Sequence, residues 1–130
     1  MDFQTKRLFV KADEVAPDGS DVRVLLGVQG GLMALYELAA GLVSTAVTNQ
    51  TIEEIWYFLS GLGEMWRKQE LREETVTVEA GVCITIPVGT HFQFRSLGSE
   101  PLVALGVTIP PWPGKEEQIP VEGKWDPTSA

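Results

Sequence analysis

Short apolar runs separated by turn-forming residues are the feature that most constrains the fold of this chain. Glycine, proline or polar clusters end each run within a few residues. Many short strands with turns at close intervals are typical of a β-sandwich or barrel. The runs predicted as strands are Lys6–Val10, Val22–Val28, Leu32–Leu38, Val43–Val47, Glu54–Leu59, Glu64–Lys68, Thr75–Val78, Val82–Ile86, His91–Arg95 and Leu102–Thr108. The sequence therefore predicts an all-β domain.

The strongest competing helix covers Thr51–Leu59, where Thr51 and Glu54 have the spacing of a capping box. The residues that follow, Ile55–Phe58, are β-branched or aromatic and favour a strand. A turn signal, Ser60–Gly63, comes directly after them. We therefore predict a strand here.

Composition narrows the class of protein. A chain of 130 residues with 44% hydrophobic and 22% charged residues is typical of one soluble globular domain. It contains no apolar run of the ~20 residues that span a membrane. The N-terminal sequence lacks the apolar region of a signal peptide, which predicts a cytoplasmic location. The net charge of −8 argues against partners such as nucleic acid or anionic membranes.

The single cysteine, Cys83, excludes an internal disulfide and a cysteine-based zinc site. Because Cys83 falls in an apolar strand pattern, we predict a small buried hydrophobe rather than a reactive thiol.

The spacing of glycine, proline and acidic residues forms a second pattern. Six residues separate Glu54 from Gly61, and five separate Gly81 from the tripeptide Pro87–Gly89. This spacing resembles the two motifs of the cupin superfamily: His-x-His, three or four residues, Glu, six residues, Gly; and Gly, five residues, Pro-x-Gly, two residues, His, three residues, Asn. The resemblance covers about residues 30–108.

The resemblance implies a cupin-type double-stranded β-helix, that is, a jelly-roll barrel. The length of the chain predicts one domain over residues 1–130, and the resemblance places the barrel core at about residues 20–109. An N-terminal strand would lie within residues 1–19. The proline-rich residues 110–130 would form an extended arm, anchored by Trp112 and Trp125.

Most metal ligands that the resemblance implies are missing. The histidine positions carry Val47 and Asn49 in one register, Thr48 and Gln50 in the other, and Phe92 for the third histidine. Only Glu54 remains, and Ser96 replaces the asparagine. One histidine in the whole chain cannot supply even a site of two imidazoles and a carboxylate. We therefore predict no metal and no cofactor; an enzyme that kept a metal would hold a hard ion through oxygen ligands.

Strand alternation assigns the side chains that face the barrel interior. The predicted pocket residues are Val47, Asn49, Glu54, Trp56, Phe58, Phe92 and Phe94, with Thr45 as a further candidate. An aromatic pocket with one carboxylate and one amide suits a small organic ligand with a polar end. Burial would raise the pKa of Glu54 and make it a candidate general acid or base. The alternative is a solid barrel in which Glu54 bonds Asn49 or a buried water.

His91 lies one residue before the ligand position, so alternation places it on the outer face with Gln93 and Arg95. This favours a surface or interface role, although a bulge at the turn would rotate His91 inward.

The outer face of the Glu54 strand carries Ile55, Tyr57 and Leu59. A free sheet face is normally polar, so a partner subunit or the C-terminal arm should cover it. The resemblance implies a homodimer. The favoured function is metal-independent binding of a small organic molecule. The alternatives are a cupin enzyme, isomerase-like, hydrolase-type or dioxygenase-like, acting around Glu54, and an interaction module with a filled barrel.

Overall fold

The computed structural model describes residues 2–128 and consists of two antiparallel β-sheets that enclose one core. In chain order the strands are β1 (Glu14–Val15), β2 (Asp21–Val28), β3 (Gly31–Leu38), β4 (Val47–Asn49), β5 (Glu53–Ser60), β6 (Leu62–Lys68), β7 (Glu73–Glu79), β8 (Cys83–Ile86), β9 (His91–Ser96), β10 (Leu102–Ile109) and β11 (Gln118–Pro120). A short 3₁₀ turn, Lys115–Glu117, precedes β11. One sheet has the order β1-β2-β3-β10-β5-β8 and the other β11-β4-β9-β6-β7. Residues 2–128 include no helix with the length and apolarity needed to span a membrane.

The predicted strand at the cupin-like motif is confirmed as β5. Its burial alternates residue by residue, with Glu54, Trp56 and Phe58 buried and Ile55 and Tyr57 exposed. This period of two is the signature of a strand with one face against a core.

The core fills most of the space between the sheets. Its largest members come from facing strands: Trp56 and Phe58 from β5, Met65 from β6, and Phe92 and Phe94 from β9. Burial of each such side chain stabilises the fold by about 1.5–3 kcal/mol.

The motif glycine Gly61 closes the turn between β5 and β6. Its φ of +86° lies in the left-handed region, and a Cβ atom there would overlap the carbonyl oxygen of Pro101. Only glycine satisfies both restrictions.

The prediction of an N-terminal strand over Lys6–Val10 is wrong. The first strand is the two-residue β1, which pairs with β2. The carbonyl oxygens of Phe9 and Val10 accept hydrogen bonds from the Arg23 guanidinium, so a side chain replaces a sheet partner there. Met1, Ser129 and Ala130, at the ends of the predicted strand and arm segments, lie outside the described residues.

The predicted strand Val43–Val47 is also displaced. Val43 forms an isolated bridge with Arg95, and β4 begins only at Val47. The amide of Thr45 donates to the carbonyl of Asp18 at 2.8 Å, and this bond to a loop interrupts the ladder.

Cys83 is exposed, so the prediction that it is buried is wrong. In the register of β5 with β8, Cys83 lies opposite Tyr57, on the outer face, while Ile84 lies opposite Trp56. The apolar run does form a strand, but Ile84 and Ile86 are the residues that face the core.

The C-terminal arm crosses the outer face of the second sheet. It pairs through β11 with β4, and the backbone of Lys124 and Trp125 donates to the amide oxygen of Gln93. Gln93 lies on the outer face of β9, as predicted, yet it is only 1% exposed because the arm covers it. The arm leaves the outer face of β5 uncovered.

Candidate functional site

Glu54 is a buried carboxylate at the centre of a hydrogen-bond cluster. Its Oε1 accepts from the Trp56 indole at 3.0 Å and from the Tyr36 hydroxyl at 3.2 Å. Its Oε2 accepts from the Asn49 amide at 2.7 Å. Burial raises the pKa of Glu54, and the three donors reduce that rise without cancelling it.

Strand register brings this cluster together. Thr108 on β10 lies directly opposite Glu54, and Gly106 lies opposite Trp56. Gly106 leaves room for the rings of Tyr36 and Trp56 to approach to 4.8 Å between centroids. A Cβ atom at Gly106 would overlap the Tyr36 ring.

A second buried carboxylate, Asp18, lies in the loop between β1 and β2. Its Oδ1 accepts from the amide of Ser20 at 3.0 Å and from the hydroxyl of Ser20 at 2.6 Å. Burial raises the pKa of Asp18. Its negative charge contributes to raising the pKa of both Glu54 and Tyr36, so two acidic groups share one low-dielectric region.

A cavity lies beside these two carboxylates. Side chains from β2, β3, β5 and β10, from residues 14–18 and from the C-terminal arm line it. The centre of a water-sized molecule can occupy about 40 Å³ of it. Exposed residues, Glu14, Val15 and Lys115, form part of its lining, so the cavity opens to the surface.

The structure separates the predicted pocket residues into two groups. All seven are at most 5% exposed. Glu54 and Trp56 line the cavity, and Asn49 contacts it through its hydrogen bond to Glu54. The others pack in the core away from the cavity: Val47, Phe58, Phe92 and Phe94. The further candidate Thr45 is half-buried and does not line the cavity.

Several cavity residues were missed by sequence reasoning. They are Asp18, Tyr36, Thr108, Trp112 and Gln118. Alternation along the predicted strands of Tyr36 and Thr108 could have found those two. No local signal indicates that Asp18, or Trp112 and Gln118 of the arm, reach the same cavity.

Comparison with known proteins places the fold. No family model matches the chain. The uncharacterized protein MJ1618 of Methanocaldococcus jannaschii is 31% identical over 110 residues, which cover 81% of this chain and 85% of that protein.

Among solved structures, a double-stranded β-helix protein from Klebsiella pneumoniae has a TM-score of 0.65 at 16% identity, covering 80% of this chain and 85% of its own. Oxalate decarboxylase from Bacillus subtilis has a TM-score of 0.69 at 18% identity, covering 82% of this chain and 29% of its own. The nucleoside dehydratase Pac13 from Streptomyces has a TM-score of 0.66 at 16% identity, covering 93% and 92%.

These findings confirm the double-stranded β-helix and, with it, the resemblance stated from the motifs. By sequence, the chain belongs to the family of MJ1618.

The residues at the cupin ligand positions do not fit an imidazole-held metal. Val47 and Phe92 are register partners, and both are buried and apolar. Asn49 already directs its amide nitrogen to Glu54. His91 lies on the opposite face of β9, beside Thr48 and Lys68. Residues 2–128 contain no cluster of three or more His, Cys, Asp or Glu side chains that could hold a metal ion.

Proposed function

We propose that this chain binds a small organic molecule in the cavity beside Glu54, independently of any imidazole-held metal. The observation that carries this proposal is the position of Glu54: a buried carboxylate beside open space. Burying a carboxylate is costly, and although three donors offset part of that cost, a purely structural interior is served as well by an apolar residue. Beside a ligand cavity, the same carboxylate can bind and orient a polar group.

The alternative of a filled barrel accounts for only part of the interior. The region around Phe58, Phe92 and Phe94 is solid core. The region around Glu54 is open, with about 40 Å³ available to the centre of a water-sized molecule. Because about 10–15 Å³ on this measure holds one water, the cavity holds roughly three waters. This space suits the polar end of a ligand whose remainder extends through the mouth.

A fragment screen followed by NMR tests the proposal. The reporter is the indole N–H of Trp56, which donates to Glu54 in the cavity wall. Ala34 is buried and lines the cavity, so Ala34→Leu should fill it. Ala80→Leu makes the same substitution at an exposed turn and serves as the matched control.

We expect at least one fragment to shift the Trp56 indole signal in the wild type and in Ala80→Leu, with loss of that shift in Ala34→Leu. The proposal is wrong if no fragment shifts the signal at millimolar concentration. It is also wrong if Ala34→Leu responds like the wild type.

A second candidate, an acid–base enzyme, is favoured by one contact. The Tyr36 hydroxyl donates to Glu54 at 3.2 Å beside the cavity, and burial raises the pKa of Glu54, which favours a protonated carboxyl group that can donate a proton. Pac13, which shares this fold, is a nucleoside dehydratase. The sign of catalysis would be deuterium incorporation into a bound fragment in D₂O. Glu54→Gln should abolish this incorporation while binding persists.

A further inference from the structure

Three buried oxygen atoms around Glu54 have no hydrogen-bond partner among the described residues. They are Asn49 Oδ1, Thr108 Oγ1 and Gln118 Oε1. Their residues are 0%, 2% and 9% exposed. Because buried polar atoms in native proteins almost always have a partner, a cluster of unpaired ones indicates a missing molecule.

The three atoms belong to one neighbourhood. Thr108 lies opposite Glu54 across β10 and β5. Asn49 donates to Glu54, and Gln118 lies opposite Asn49 across β11 and β4. Thr108 and Gln118 also line the cavity, so a ligand beside Glu54 meets their side chains.

The charged groups at the buried end of the cavity are acidic. Asp18 and Glu54 are both buried in its wall, whereas Lys115 is exposed at the rim. Lys115 forms no ion pair with any residue in the described range. The aromatic residues Tyr36, Trp56 and Trp112 also line the cavity, and aromatic rings attract cations.

Resting on the proposed function, we propose that the ligand enters the cavity with a protonated primary amine. An ammonium group carries three N–H donors and no acceptor, which matches a carboxylate surrounded by unpaired acceptor oxygens. A hydroxyl group offers one donor, and a carboxylate offers none and meets two acidic groups. Organic amines are therefore the ligand class that this site selects.

The affinity for an amine should rise with pH. The titratable groups that line the cavity with Glu54 are Asp18 from the loop, Tyr36 from β3 and, at the rim, Glu14 and Lys115. Burial raises the pKa of both Asp18 and Glu54, so acid leaves them neutral and weakens their attraction for a cation. An alkyl amine stays protonated to about pH 10, so the carboxyl groups set the pH dependence.

The test compares three probes of similar shape: benzylamine, benzyl alcohol and benzoate. Binding is followed by titration of the Trp56 indole signal. We expect benzylamine to bind at least ten-fold more tightly than benzyl alcohol at pH 7.5, with no detectable binding of benzoate. The preference for benzylamine should decrease at pH 5.

Two variants test the named acceptors. Thr108→Val keeps the shape and removes the oxygen, and Glu54→Gln keeps the shape and removes the charge. Each should reduce the amine-to-alcohol preference by at least three-fold. Thr77→Val, at an exposed site on β7, is the matched control and should keep the wild-type preference. If Thr108→Val fails to fold, the amine-to-alcohol preference of Glu54→Gln alone tests the inference.

Failure of this inference differs from failure of the proposed function. If benzyl alcohol binds as tightly as benzylamine and Ala34→Leu abolishes both, the cavity binds small molecules but the amine inference is wrong. The inference is equally wrong if Ca²⁺ or Mg²⁺ saturates the site and benzylamine does not. If no probe or fragment of any charge binds, both proposals are wrong.

Discussion

Glu54 is a buried carboxyl group whose ionised form is stabilised by three hydrogen-bond donors. Asn49, Trp56 and Tyr36 supply these donors, and each comes from a position fixed by strand register or alternation. The donors favour the ionised form, yet burial is the larger effect and raises the pKa. The protonation of Glu54 should therefore affect the stability of the cavity wall.

Glu54→Gln should change how stability depends on pH. Because the folded pKa of Glu54 lies above its unfolded value, its contribution is fully present in acid and is lost as the pH rises through the folded pKa. Glutamine has no such loss, and its amide can donate to the free Asn49 Oδ1. Urea unfolding between pH 4 and 8 should show the variant gaining stability relative to the wild type as pH rises. The exposed neighbour Glu53→Gln is the control, and a pH-independent difference for Glu54→Gln would contradict the prediction.

Gly106→Ala should destabilise the protein through the Tyr36 ring. The added methyl group overlaps Tyr36, which is held against Trp56. Such overpacking costs about 1–3 kcal/mol. At Gly30 a Cβ meets no atom within 4 Å, so Gly30→Ala should change stability by less than about 0.5 kcal/mol. Equal unfolding midpoints for the two variants would contradict this account.

At the scale of elements, the sequence predicted strands well wherever one face packs on the core. β5 is the best example, because its buried residues Glu54, Trp56 and Phe58 alternate with exposed ones. Prediction failed where hydrogen bonds from outside the ladder decide the structure: at Phe9 and Val10, which accept from Arg23, and at Thr45, which donates to Asp18. These partners are far apart in sequence, so no local pattern reveals them.

Gln93→Leu should loosen the C-terminal arm. The amide of Gln93 donates to the carbonyls of Ser44 and Trp125 and accepts from the amides of Lys124 and Trp125. Leucine would leave these backbone groups without their partner, at a cost of about 1–3 kcal/mol. Hydrogen exchange should speed up at Lys124 and Trp125. Gln69→Leu, which removes an exposed amide, is the control and should leave exchange in the arm unchanged.

The residues at the cupin ligand positions on β4, β5 and β9 predict a protein that binds no transition metal. Purified, untagged protein should hold no stoichiometric zinc, iron, nickel or copper, because these positions supply no imidazole or thiolate. Elemental analysis decides this, and about one equivalent per chain would contradict it.

Conversely, Val47→His, Asn49→His and Phe92→His together, with native Glu54, should create a metal site. If this triple variant folds and binds no metal, the match of these positions to the cupin ligands is wrong.

At the scale of the whole molecule, the cavity shows what the sequence could not supply. Alternation correctly identified buried residues, but burial does not distinguish packed core, as at Phe92, from a cavity wall, as at Trp56. The cavity forms where the loop with Asp18 and the arm with Trp112 and Gln118 lie beside side chains of the first sheet. These residues are far apart in sequence, so no local pattern predicts the cavity. The candidate site therefore includes residues of β2 and β3 that are absent from the predicted pocket.

The outer face of β5 predicts a homodimer. Ile55, Tyr57 and Leu59 are 42%, 47% and 43% exposed, and the C-terminal arm, which lies on the other sheet, does not cover them. A second copy that packs on this face would bury an apolar strip flanked by β8 and β10. Light scattering at micromolar concentration should give twice the chain mass for the wild type. Tyr57→Lys places a charge in the middle of the strip and should give the monomer mass. Val88→Lys, at an exposed apolar residue in a turn, should remain dimeric. A wild-type monomer, or equal dissociation of both variants, would show that this face is not the interface.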